Sequence, residues 1–206
     1  MRKSFIASVG AGAAAAAIGF GVVMPAAAGS TAASSRAPAA AHRVGATAAA
    51  TTCQRTLAAY PILRPGDTGT AVRTLQCTMN DAGLGPVVVD GWYGPQSKRV
   101  VVAVAAGTEG VPDTSGRVNN SMWVRLISGA LSDRTLRTGS TGSDVLVLQR
   151  ALRAQGFAIT VDGRFGPQTA SVVRAFQRAT GNVPDGVVGP ATLFALHSGG
   201  SARLAN

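Results

Sequence analysis

Residues 162–168 read DGRFGPQ and residues 90–96 read DGWYGPQ, so one seven-residue motif occurs twice in the chain. In each motif the Asp-Gly pair favours a tight turn, because glycine tolerates positive φ without a steric clash. The proline that follows suits the first turn of a helix, where its missing N–H costs nothing. The motif therefore predicts, at two places, a turn that leads directly into a helix.

The similarity extends upstream of the motif. Residues 63–69 (LRPGDTG) match residues 136–142 (LRTGSTG) at an offset of 73, whereas the two motifs lie 72 residues apart. The same offset of 73 relates three further pairs: Val72 and Val145, Leu75 and Leu148, Gln76 and Gln149. A period above 70 residues is long enough for each copy to be a small domain rather than a solenoid unit.

The second copy predicts three helices. Ser143 can cap a first helix that runs to about Gln155, with Gly156 placed to end it. A second helix opens at Pro167 and stops at Gly181, and a third opens at Gly189-Pro190 and reaches His197. Apolar residues at helical spacing supply the buried faces: Val145, Leu148, Leu152, Val172, Val173, Phe176, Leu193 and Leu196. We therefore expect an all-α fold of two tandem small three-helix bundles.

The second half of the first copy departs from this pattern. Val104 and Ala105 stand where the second copy has Phe176-Gln177, and the β-branched run 100–102 is a weaker helix former. Trp123, which falls opposite Leu193, is expected to replace some of the lost core volume.

The first 28 residues resemble a secretory signal peptide, with Arg2 and Lys3 before an uncharged run and an A-x-A ending at Ala28. A retained membrane anchor is the alternative, but the Ala- and Gly-rich run suits cleavage better. Residues 29–52, rich in Ala, Ser and Thr, predict a disordered linker. Export with cleavage places the protein outside the cell or at its wall, without stable membrane insertion.

Cleavage would leave 17 basic and nine acidic residues, a net charge of +8 that attracts anionic surfaces. The basic residues are scattered and carry no nucleic-acid motif, which argues against nucleic acid as a partner. An even cysteine count in an exported chain favours a disulfide between Cys53 and Cys77, a staple for a small first domain.

Taken together, the pattern L-R-x-G-x-x-G-x-x-V-x-x-L-Q, then D-G-x-[FY]-G-P-x-T, A-F-Q and G-x-x-G-P-x-T-L, resembles the peptidoglycan-binding domain type 1 family. The second copy, residues 134–198, carries nearly all of it. The first copy, residues 53–128, is partly degenerate: it has Ser97 in place of the motif threonine and lacks the Phe-Gln pair and the closing Gly-Pro. The resemblance implies a three-helix fold in a secreted bacterial protein that binds cell-wall glycopeptide, usually beside a hydrolase domain.

A hydrolase is not predicted, because the signal, linker and two copies leave no stretch to hold one. Glycosidases generally need paired carboxylates, and the only glutamate is Glu109 in a predicted loop. A catalytic zinc site needs three protein ligands, and the only histidines are His42 in the linker and His197. The sequence therefore predicts a non-catalytic binder without cofactor, metal or catalytic residue.

Peptidoglycan offers neutral sugars and peptides that end in carboxylates, so cations, amides and an exposed aromatic ring are the candidate contacts. Trp92 occupies the slot filled by Arg164 in the second copy and should point outward to stack on a sugar. The candidate set is Trp92, Gln149, Arg150, Arg153, Arg164 and Gln177. Alternatively, the glutamines cross-link the turn backbone and the arginines are only solvated.

The partner is expected to be peptidoglycan, through its glycan strand or stem peptide, with other secreted wall enzymes as further partners. The alternative function is a protein-interaction scaffold or regulator of a secreted wall hydrolase, without affinity for glycan.

Overall fold

The computed structural model describes residues 53–107 and 113–200, all of which belong to one compact unit. The predicted signal peptide, the predicted linker and Glu109 lie outside these residues. The described chain contains six helices, named here in chain order: α1 Thr70–Asp81, α2 Pro95–Ala106, α3 Asn120–Ser128, α4 Ser143–Ala154, α5 Pro167–Ala179 and α6 Pro190–His197. Between them, the described residues pair only as isolated β-bridges, and the all-α prediction is confirmed.

Proline opens three of the helices, as expected from its fixed φ and missing N–H. Pro95, Pro167 and Pro190 each stand in the first turn of α2, α5 and α6. Each follows a glycine with extended backbone. Local sequence is therefore sufficient to set these three starts.

The start of α4 corrects one prediction. Ser143 is the first helical residue rather than the cap, and no side chain caps this end of the helix. The residue before it, Gly142, has the non-helical backbone that defines a cap position, with φ of 109°. Its N–H donates to the carbonyl oxygen of Gly163 at 3.0 Å. Backbone contacts of the glycine therefore position the start of α4, and no serine hydroxyl accepts from its first turn.

The predicted core positions in the second half of the chain, which is the second copy at residues 134–198, are buried. Val145, Leu148 and Leu152 in α4 are at most 1% exposed, and Phe176 in α5 is equally enclosed. Val172 is only partly buried against the core. The apolar stripe read from helical spacing is therefore the inward face of these helices.

Trp123 in α3 fills the centre of the packing. Its side chain is fully buried, its ring packs edge-on against Tyr60 with centroids 5.1 Å apart, and its Nε1 donates to the carbonyl oxygen of Pro61 at 2.7 Å. Because α3 packs against α4 and α6 as well as α1 and α2, it belongs to both halves of the chain. The six helices consequently share one continuous core.

The expected disulfide is present, between Cys53 and Cys77 in α1. It ties the start of the described chain to α1, where the Thr74 hydroxyl also donates to the carbonyl oxygen of Gln54 at 2.7 Å. The Arg55–Asp81 ion pair adds a contact at the surface, where such pairs stabilise little.

Replacing both cysteines with alanine should lower the free energy of unfolding by about 3 kcal/mol, because the bridge closes a loop with a sequence separation of 24 residues. Urea denaturation of the variant and of the oxidised protein would measure the difference. A reducing agent should then destabilise the unsubstituted protein and leave the double variant unchanged. A double variant as stable as the oxidised protein would contradict this role.

Candidate functional site

The Gln149 side chain lies inside the turn that follows α4. It is 1% exposed, and its Nε2 donates to Asp162 Oδ1 at 2.8 Å and to the carbonyl oxygen of Arg164 at 3.0 Å. Nε2 also lies 3.1 Å from Thr169 Oγ1, and Oε1 accepts from the N–H of Gly163 at 2.8 Å. The amide is thus saturated by the protein and cross-links the turn.

Gln177 in α5 repeats this arrangement around the next turn. It is also 1% exposed, and its Nε2 donates to Asp185 Oδ1 at 2.7 Å and to the carbonyl oxygen of Val187 at 2.9 Å. Its Oε1 accepts from the N–H of Gly186 at 2.9 Å, and Nε2 lies 3.1 Å from Thr192 Oγ1. The contacts of both glutamines match the alternative in which they cross-link turn backbone.

A third glutamine, Gln76 in α1, does the same in the first half. It donates to Asp90 Oδ1 at 2.7 Å and to the carbonyl oxygen of Trp92 at 3.0 Å, and it accepts from the N–H of Gly91 at 2.9 Å. The sequence signal for this role was available, since each glutamine lies on a helix that precedes an Asp-Gly pair.

The fourth turn, between α2 and α3, is built differently. Ala105 occupies the position that matches Gln177, and here the Tyr93 hydroxyl donates to the carbonyl oxygen of Gly116. Asn119 caps α3 by accepting from the N–H of Met122 at 2.9 Å. A phenol and an asparagine cap therefore hold the turn where the first half lacks a glutamine.

Two of the turn aspartates, Asp162 and Asp185, are held ionised by the same contacts. The N–H of Arg164 and the Gln149 amide lower the pKa of Asp162, and the N–H of Val187 and the Gln177 amide lower that of Asp185. A general acid needs a raised pKa, so these carboxylates suit turn formation rather than proton transfer.

The three candidate arginines have different surroundings. Arg153 donates from Nε and Nη2 to the carbonyl oxygen of Ile159, so its guanidinium group is hydrogen-bonded within the protein. The Arg164 side chain is exposed. Arg150 is half-buried, donates from Nε to Thr56 Oγ1 at 3.0 Å, and has its pKa lowered by desolvation.

Trp92 points outward, as predicted, whereas its neighbour Tyr93 is buried. The indole is 43% exposed and lies over Gly94, where an added Cβ would come within 2.5 Å of Cζ3. Pro65 and Lys98 line the same shallow pocket of about 240 Å³. One face of the ring thus rests on backbone, which orients the indole at the surface.

The candidate residues do not converge on one cavity. Trp92, Arg150, Arg153 and Gln177 each line a different pocket. Within residues 53–107 and 113–200, no three His, Cys, Asp or Glu side chains are grouped as metal ligands would be. None of the helices in that part of the chain is both long and apolar enough to cross a bilayer.

Residues 141–196, from the turn before α4 to the end of α6, match a family model described as "Putative peptidoglycan binding domain". The N-acetylmuramoyl-L-alanine amidase CwlL of Bacillus licheniformis is 38% identical over 71 residues, which are 33% of this chain and 20% of the relative. The zinc D-Ala-D-Ala carboxypeptidase of Streptomyces albus G is 43% identical over 68 residues, 31% of this chain and 26% of the relative.

A crystal structure of the SleB N-terminal domain is 36% identical and is covered completely by 35% of this chain, with a TM-score of 0.34. The chain spans only about a fifth to a quarter of the length of the two curated relatives. Residues 141–196 are thus the part of this chain that is similar to a family described as a putative peptidoglycan-binding domain.

Proposed function

We propose that this chain is an exported, non-catalytic protein that binds bacterial cell wall through two modules, the second of which is the domain at 141–196. The family match over α4, α5 and α6 carries the proposal. Two weak sites facing a polymer that repeats its epitope gain avidity without further contacts. Neither module then needs a tight site of its own.

Equivalent backbone contacts support treating the first half as a divergent second module. The isolated bridge between Leu63 and Val118 corresponds to that between Leu136 and Val188. The starts of α1 and α4 are separated by the offset of 73 found in the sequence, and those of α2 and α5 by 72. The buried glutamine of α1 matches that of α4. These correspondences favour a common origin.

The short matched region supports a binder without bond-breaking activity. The similarity takes in about a fifth to a quarter of each hydrolase named above, and the family model that covers it describes a binding domain. The three turn aspartates, Asp90, Asp162 and Asp185, are each engaged by a glutamine.

Sedimentation of the purified chain with protein-free sacculi tests the proposal, and retention in the pellet is the expected result. A zymogram on the same sacculi should show no clearing, whereas clearing would contradict a non-catalytic role. If the chain stays in the supernatant but captures a secreted wall hydrolase, the regulator alternative replaces wall binding. The full chain is required, because dividing it would expose the face of α3 that packs against α4 and α6.

Trp92→Ala should reduce the retained fraction on sacculi, because the variant loses the oriented aromatic platform. The apparent affinity is expected to fall about three- to tenfold, the range of an aromatic stacking contact. The fold should be unaffected, since the ring is 43% exposed. Val88→Ala is the matched control, an exposed apolar side chain of the same half. Equal retention of the Trp92 variant and the unsubstituted protein would reject the platform.

A further inference from the structure

The halves of the chain meet at a pocket of about 310 Å³ that none of the contacts above explains. It is lined by Arg55, which precedes α1, and by residues from the end of α1, the end of α3, the segment that joins α3 to α4, and α4. Ligand pockets span about 300–1,000 Å³, so this pocket can hold the end of a short peptide but is too small for a glycan strand.

The lining of the pocket combines apolar and charged side chains. Its apolar residues are Ile127, Leu146 and Val147, and its charged residues are Arg55, Asp81 and Arg150. Asp81 is paired with Arg55, and Arg150 forms no ion pair with a described residue. A ligand that fits must therefore combine small apolar groups with an anionic terminus.

The two arginines differ in how their charge is used. Arg55 holds Asp81 with two hydrogen bonds, Nε to Oδ2 at 2.5 Å and Nη2 to Oδ1 at 2.9 Å. Arg150 donates only through Nε, to Thr56 Oγ1, and its two Nη groups make no hydrogen bond to any described residue. Because burial also lowers the pKa of Arg150, an anion at its Nη groups would replace lost hydration.

We infer that this pocket binds the terminal carboxylate of a short peptide with small side chains, held by the Nη groups of Arg150. A guanidinium presents parallel N–H donors that match a carboxylate. If the chain binds cell wall as proposed above, the ligand is the carboxyl end of the stem peptide. Trp92 lines a different pocket, so sugar and peptide would be held at separate places.

The site belongs to the joined halves rather than to either module. The residue that matches Arg150 in the first half is Cys77, which is consumed in the disulfide. Ile127 and Arg55 come from the first half, whereas Leu146 and Arg150 come from the second. A single module could not form this pocket.

Titration of the chain with Nα,Nε-diacetyl-L-lysyl-D-alanyl-D-alanine, followed by NMR chemical shifts, tests the inference. We expect saturable binding that shifts the resonances of α4, and about tenfold weaker binding of the C-terminal amide of the same peptide. Arg150→Gln should lose about tenfold in affinity. Arg150→Lys should recover only part of the loss, because lysine has no fork of donors.

Two further variants keep the result independent of folding and of net charge. Arg178→Gln removes the same charge from an exposed position on α5 and should bind the peptide as the unsubstituted chain does. Ala130→Phe fills the pocket without altering charge and should abolish binding while the helical circular dichroism is kept. Equal binding of acid and amide, or equal losses for the Arg150→Gln and Arg178→Gln variants, would overturn the inference.

The sacculus assay separates this inference from the proposed function. Retention on sacculi without binding of the tripeptide at millimolar concentration would reject the pocket and leave wall binding standing. Carboxylate-dependent binding of the tripeptide without retention on sacculi would support the pocket and reject wall binding as its purpose.

Discussion

Replacing Gln149 with leucine is expected to lower the free energy of unfolding by about 3 to 5 kcal/mol. The leucine leaves the N–H groups of Gly163 and Asp162 without their present acceptor. The carbonyl oxygen of Arg164 loses one donor but still accepts from the N–H of Gly166. It also removes the amide that donates to Asp162 Oδ1. Unpaired buried polar groups cost about 1 to 3 kcal/mol each, and the exposed Asp162 recovers part of its share from water. Urea denaturation followed by circular dichroism would measure the loss.

A matched control and a second substitution sharpen this test. Gln168→Leu alters an exposed glutamine of α5 and should change stability by no more than about 0.5 kcal/mol. Gln149→Glu keeps an acceptor for Gly163 but places a second carboxylate beside Asp162, so it should destabilise as strongly at neutral pH. A change below about 1 kcal/mol for Gln149→Leu would contradict the cross-linking role.

The Gln149→Leu variant also distinguishes a structural role of Gln149 from a role in ligand binding. If Gln149 acts only within the protein, Gln149→Leu should still sediment with sacculi at temperatures where it remains folded. If instead the amide contacts ligand, retention should fall while the helical signal is intact. Because both functions of an amide depend on the same donors, stability alone could not distinguish them.

Trp123→Ala is the second large effect, with an expected loss of about 3 to 5 kcal/mol. The substitution empties a fully buried site, removes the edge-on contact with Tyr60, and leaves the carbonyl oxygen of Pro61 without its donor. Trp123→Phe retains most of the volume and loses the hydrogen bond, so it should cost about 1 to 2 kcal/mol. Thermal and urea unfolding would rank the two variants.

The number of unfolding transitions of the Trp123→Ala variant tests whether the two halves share one core. Because α3 packs against helices of both halves, the Trp123→Ala variant should still lose its helical signal in one transition at a lower midpoint. Two separated transitions would show that the halves unfold independently, and would contradict a core shared through α3. Tryptophan fluorescence of the variant reports on Trp92 alone, since the chain has two tryptophans.

Much of the fold could be predicted because its causes are local. The starts of α2, α5 and α6 follow from prolines with a fixed φ. The opposite orientations of Trp92 and Tyr93 follow from their adjacent positions beside a turn. The Cys53–Cys77 bridge followed from the cysteine count and the predicted export. The residues responsible lie within a few positions of one another, except for the two cysteines, which have no third cysteine to compete for pairing.

The candidate site was harder to predict, since residue type does not reveal the partner of a polar group. Gln149 and Gln177 have suitable chemistry for a ligand, and the folded chain uses that chemistry on its own turns. Arg153 is likewise directed at the carbonyl oxygen of Ile159. Arg150 has the same side chain one helical turn earlier, yet it lines a pocket, and its Nη groups make no hydrogen bond to a described residue.

The turns, the helix starts and the apolar faces follow from local sequence, because backbone sterics and helical periodicity act over a few residues. Three features required the folded chain: α3 joins both halves, the glutamines are enclosed, and a pocket opens beside Arg150. These features depend on which surfaces meet. Burial and hydrogen bonding are settled between residues far apart in the chain, where no local pattern records the partner.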